Sequence, residues 1–97
     1  MKHSLLKALS RGHNYIRVTG TFRPGKHGHV VFDKCVTPYG TEDHIWANRV
    51  AVGQLPPLKD GSRISFIASL QKYKKRDGTT SVRLEDIREP KVVEVGK

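Results

Sequence analysis

Apolar and polar residues alternate with period two over most of the chain, a rhythm that predicts strands. In Tyr15–Phe22, Ile16, Val18 and Phe22 alternate with polar neighbours, and Gly20 marks a bulge or tight bend within the run. Arg23-Pro24-Gly25-Lys26-His27-Gly28 follows as a turn, because Pro24 fixes one backbone dihedral and Gly25 frees the next. A second strand, His29–Thr37, is rich in β-branched residues and ends at Pro38-Tyr39-Gly40. The third strand spans Asp43–Val50. Between Ala51 and Asp60, Gly53, Pro56 and Pro57 argue against a long helix. The fourth strand is the cleanest: Ile64, Phe66, Ala68 and Leu70 alternate with Ser65, Ile67, Ser69 and Gln71. Asp77-Gly78 in the tip Lys74–Gly78 signals a hairpin, and a fifth strand, Thr80–Asp86, turns Val82 and Leu84 one way. Ile87, Val92, Val93 and Val95 extend the apolar content around Pro90.

Helical spacing occurs only over Ser4–Arg11. Leu5, Leu6 and Leu9 share a face there, Ser4 is placed to cap the helix and Gly12 to stop it. The three leucines either plug one open end of the folded unit or meet a second copy or another protein. No internal repeat or low-complexity linker interrupts the chain. Five short strands in 97 residues point to one small β-barrel that closes its own edges. Residues 1–13 form a basic segment with the short helix, and residues 14–97 form the barrel.

Charge changes the picture most. Lys and Arg total 18 against 9 Asp and Glu, a formal net charge of +9. The excess is unevenly placed. Residues 1–32 hold Lys2, Lys7, Arg11, Arg17, Arg23 and Lys26 with no carboxylate, and residues 61–76 hold Arg63, Lys72, Lys74, Lys75 and Arg76, again with none. Nucleic acid is the commonest polyanion such a surface meets, although a basic surface also simply opposes aggregation. The composition is that of a globular chain and not a disordered one. No apolar run approaches the roughly 20 residues of a membrane span. Met1 to Leu9, interrupted by Lys7, lacks the long apolar stretch of a secretory signal. The single cysteine, Cys35, has no internal disulfide partner, which favours a reducing, cytoplasmic compartment.

Five strands, a bulge glycine in the first and a late basic hairpin together resemble the OB-fold. More narrowly, the chain resembles the single-stranded DNA-binding protein and primosomal replication protein branch of that fold. The likeness is carried by Val18-Thr19-Gly20-Thr21, Asp43-His44-Ile45-Trp46, Asp60 to Phe66, the hairpin Tyr73 to Gly78 and Val82 to Ile87, and covers roughly residues 14–93. That family's flexible tail with an acidic tip has no counterpart before Val95-Gly96-Lys97, so recruitment of partners through such a tail is not expected. The resemblance implies an all-β, five-stranded OB-fold barrel with a short N-terminal helix. It also implies single-stranded DNA or RNA as partner, DNA favoured; no membrane partner or cofactor is expected from the residues. Members of the branch are oligomers, which makes a homodimer the simplest expectation.

On an OB-fold, a single strand crosses the face of strands two and three between the loops joining strands one to two and four to five. Those loops fall here at Arg23–Gly28 and Lys72–Thr80, and both are basic. Phosphates need cations along such a groove, and exposed aromatics stack bases for about 1–3 kcal/mol each. A basic hairpin tip also discourages edge pairing, a purely structural use of the same lysines. With Ile45 and Ala47 turned inward, His44, Trp46 and Asn48 face outward; the opposite register buries Trp46. Phe66, Phe22 and Phe32 are expected in the core. Tyr39 and Tyr73, beside loops, either stack bases or cap the barrel with their hydroxyls in water. The candidate nucleic-acid-binding set is Arg17, Arg23, Lys26, His29, Lys34, Tyr39, His44, Trp46, Arg49, Lys72, Tyr73, Lys74, Lys75 and Arg76.

Enzyme chemistry finds little footing. His27-x-His29 and Cys35 fall short of the four ligands of a structural zinc site. Glu42-Asp43-His44 sets acids beside a base, as a metal-dependent nuclease would, but neighbours on a strand point to opposite faces. No nucleophile elbow, phosphate-cradling glycine loop or dinucleotide fingerprint is present. The rival reading is an OB-like module that docks on an acidic partner in replication, transcription or translation machinery.

Overall fold

The computed structural model describes residues 3–25, 29–48 and 53–96. Helix α1 (His3–Ser10) precedes strands β1 (Tyr15–Pro24), β2 (Val30–Thr37), β3 (Gly40–Ala47), β4 (Arg63–Lys74) and β5 (Thr80–Glu94). The strands close into a barrel in the order β1-β2-β3-β5-β4, with β4 returning to β1. Every pairing is antiparallel except β3 with β5, which meet in parallel at Ala47 and Leu84. This is an all-β, five-stranded OB-like barrel with a short N-terminal helix.

Period-two alternation fills the interior. Ile16 and Val18 of β1, Ile64, Phe66, Ala68 and Leu70 of β4, and Val82 and Leu84 of β5 are all buried. Phe32 packs on Phe66 with ring centroids 4.9 Å apart, and Phe22, half-buried, lies against Phe32. The β2 strand changes phase once. Val30 and Phe32 point inward, then Cys35 and Thr37 do, because Lys34 is an extra residue with φ +50°. Thr19 pairs with Val36 and Thr21 with Asp33, so Lys34 and Cys35 together oppose Gly20. The bulge expected at Gly20 is therefore real, but its extra residue lies on the partner strand. The Cys35 thiol, fully buried, donates to the Phe32 carbonyl at 3.1 Å.

Two strand boundaries differ from the sequence pattern. β3 starts at Gly40 and not Asp43, because Thr37 and Gly40 close a tight hairpin in which Gly40 has φ +135° and Tyr39 N–H donates to Thr37 Oγ1. Its expected end, Val50, lies outside the described residues. β5 runs past Asp86 and Pro90 to Glu94, fifteen residues against the twelve of β4. Three register shifts absorb the difference. Pro90 sits in one of them, beside Glu89 at φ +52°, where its missing N–H costs no ladder bond. Ile87 joins the core, whereas Val92, Val93 and Val95 remain exposed.

Helix α1 plugs the barrel. Leu5 and Ala8 are fully buried, and Leu6 and Leu9 pack half-buried against the same core. Ser4 does not cap the helix itself. Its backbone N–H and its hydroxyl both donate to Oε1 of the buried Glu42 on β3, at 3.1 and 2.9 Å, so the cap comes from the sheet. Gly12, at φ +82°, ends the helix with the paired bonds Gly12 N–H to Leu9 O and His13 N–H to Ala8 O.

Candidate functional site

The two basic loops leave opposite ends of the β1–β4 ladder, where Tyr15 pairs with Ser69 and Thr21 with Arg63. They meet by going the other way around the barrel. Val30 at the start of β2 pairs with Ala47 at the end of β3, and Ala47 pairs with Leu84 of β5. One line of buried residues thus joins the mouth of the β1–β2 loop, the end of β3 and the β4–β5 hairpin. Closure with this stagger places the mouth of the β1–β2 loop, Gly25 and His29, and the β4–β5 hairpin at one rim.

Trp46, one residue before that line, points outward and is 40% exposed. Register settles its orientation, since it pairs with Val31 while Ile45 and Ala47 are buried. His29 meets its ring edge-on, with centroids 6.3 Å apart and planes at 81°. Gly25, whose N–H donates to the His29 carbonyl at 2.9 Å, backs onto the indole: an added Cβ would lie 3.5 Å from Trp46 Cζ3. Across the opening stand Tyr73 of β4 and Arg83 of β5, the guanidinium 5.6 Å from the tyrosine ring centroid. Asn48, held by its N–H to the Leu84 carbonyl, completes a cleft of about 230 Å³ lined by His29, Trp46, Ala47, Asn48, Tyr73 and Arg83.

On either side of Tyr73 the hairpin exposes Lys72, Lys74, Lys75 and Arg76. Its tip is a five-residue loop and not a two-residue turn. Lys75 N–H donates to Thr79 O, Gly78 takes φ +87°, and Asp77 Oδ1 accepts from both Thr79 N–H and its hydroxyl. The Thr79 bonds hold the Asp77 carboxyl below its ordinary value, with Lys75 adding to the shift.

Other candidates are placed elsewhere. Arg23 is committed to Asp60 at 2.9 Å and Asp33 at 3.4 Å, and these carboxylates raise its pKa. Arg17 donates to Ser65 and lines a separate depression with Thr19, Val36, Thr37 and Pro38. Tyr39 sits at the far end of β3 from Trp46, roughly 20 Å away by extended-chain spacing, with Arg11 and His13 against its ring. Lys34 stands exposed on its bulge, and His44 is exposed opposite Asp33, on the side of β3 that carries Trp46. Lys26 and Arg49 lie outside the described residues. Of the aromatic candidates, Trp46 and Tyr73 share the cleft and Tyr39 does not.

Asn48 and Arg83 line the cleft without belonging to the candidate set. The signal for Arg83 was present, because Val82 and Leu84 facing inward turn Arg83 outward beside Tyr73. Its near-neutral surroundings in sequence masked it. The arrangement offers two aromatic faces for a planar ring and a cationic border for an anion. No protein-family model, curated protein or solved structure matches the chain.

Proposed function

We propose that the barrel binds single-stranded nucleic acid, DNA foremost, with little sequence preference. The observation that carries this reading is the cleft itself, where Trp46 and Tyr73 stand between the mouth of the β1–β2 loop and the basic β4–β5 hairpin. Aromatic faces accept any base, and Lys72, Lys74, Lys75 and Arg76, exposed on the hairpin that carries Tyr73, are the cations for phosphates. The OB-like barrel and the resemblance to single-stranded DNA-binding and primosomal replication proteins point the same way.

Trp46 is the only tryptophan, so its fluorescence reports the cleft alone. Titration with oligo(dT) is expected to quench it saturably. With four phosphates neutralised at about 0.7 each, log affinity falls against log salt with a slope of about −3. Binding without quenching, or with no salt dependence, contradicts the reading. A module that docks only on an acidic protein leaves Trp46 indifferent to every oligonucleotide.

A further inference from the structure

The cleft opens to solvent but has side chains on more than one side. His29 meets the Trp46 ring edge-on, and Ala47, Asn48, Tyr73 and Arg83 complete the lining. At about 230 Å³ it falls below the roughly 300–1,000 Å³ typical of sites for drug-sized ligands, a size suited to one planar ring system. Arg83 reaches it from the sheet and not from the hairpin tip. Its Nη2 donates to Glu85 Oε1 at 3.1 Å, and its Nε, buried, has no hydrogen-bond partner among the described residues. A guanidinium carries five N–H donors and no acceptor, so Glu85 leaves most of them for an oxygen-rich group. Arg83 has one carboxylate partner, Glu85, where Arg23 has two, so less of its charge is neutralised. Arginine matches phosphate in a two-pronged geometry that lysine lacks.

We infer that the cleft is a discrete pocket for one nucleotide, with the base against Trp46 and Tyr73 and a phosphate oxygen on the Arg83 guanidinium. This rests on the proposed single-strand binding and adds a residue, a stoichiometry and a smallest ligand to it. The hairpin lysines then act on the neighbouring phosphates, and Arg83 acts on the one belonging to the bound base.

The test uses the full chain and three probes read by Trp46 fluorescence: oligo(dT), thymidine monophosphate and thymidine. The monophosphate should quench saturably and displace labelled oligo(dT), at about tenfold lower concentration than thymidine, the margin of one charge-assisted hydrogen bond. Arg83→Gln should bring the two within about twofold, and Arg83→Lys, which keeps the charge without the fork, should fall between. Unchanged thermal unfolding confirms that each variant folds; if the glutamine variant does not, the lysine variant carries the comparison. Quenching by oligo(dT) with equal responses to monophosphate and thymidine overturns the pocket and leaves the broader reading intact. So does a monophosphate preference that survives both substitutions. Absence of quenching by oligo(dT) removes the broader reading and this inference with it.

Discussion

Gly20 shows how little room single positions leave. A Cβ there would stand 2.9 Å from Cys35 Sγ and 3.0 Å from Phe32 Cβ, both in the buried core. Gly20→Ala should therefore cost about 1–3 kcal/mol, the range for overpacking, measured as a lower urea midpoint with an unchanged slope. The sequence pattern marked this glycine, since a break in a strand run has few other uses. It did not mark Lys34, because nothing in a lysine advertises a left-handed backbone. Trp46 was readable only as a pair of opposite registers, and the choice fell to which neighbours the closed barrel buries. Arg23 was unreadable for a different reason. Asp33 and Asp60, the partners that occupy it, are ten and thirty-seven residues away and meet it only through tertiary structure.

Among the elements, the β4–β5 hairpin was the most legible and the β2–β3 hairpin less so. Asp77-Gly78 located the first tip, whereas Pro38-Tyr39-Gly40 read as the end of one strand and not the start of the next. The end of β5 escaped because a proline reads as a stop, and only the register shows that Pro90 falls within a bulge. The cap on α1 was equally hidden, as its acceptor, Glu42, is 38 residues away on β3. Function divides along these elements. Replacing Lys74, Lys75 and Arg76 together with serine should flatten the salt dependence of oligo(dT) binding by about 2, at roughly 0.7 per lost phosphate contact. Arg23→Gln should leave that slope in place, because its guanidinium is already spent on two carboxylates. Parallel titrations over a range of sodium chloride concentrations compare the two, and equal flattening would mean that Arg23 meets phosphate after all.

At the scale of the whole molecule, closure depends on contacts far apart in sequence. Asp86 gathers two of them, Gln54 Nε2 at 2.6 Å and the Tyr15 hydroxyl at 3.1 Å, and adds its near neighbour Arg88 Nε at 3.0 Å. Gln54 returns a bond through its carbonyl to Ile87 N–H, which fastens residues 53–55 to β5. These donors, Gln54 foremost, hold the Asp86 carboxyl below its ordinary value of 3.8. A carboxyl lowered on folding stabilises the fold fully above its unfolded value and loses that contribution as pH falls through its folded value. Stability should therefore drop below about pH 4, and Asp86→Asn should be less stable at pH 7 yet show a shallower acid decline, followed by urea unfolding from pH 7 to 2. The same closure brings the mouth of the β1–β2 loop and the β4–β5 hairpin to one rim, which no local pattern encodes. The most direct test is a ¹H–¹⁵N spectrum of the labelled protein with and without oligo(dT). The indole N–H of Trp46 and the amides of Asn48, Tyr73 and Arg83 should shift together while Arg17 and Tyr39 stay fixed. Shifts centred on Arg17 and Tyr39, with the indole unmoved, would contradict the account.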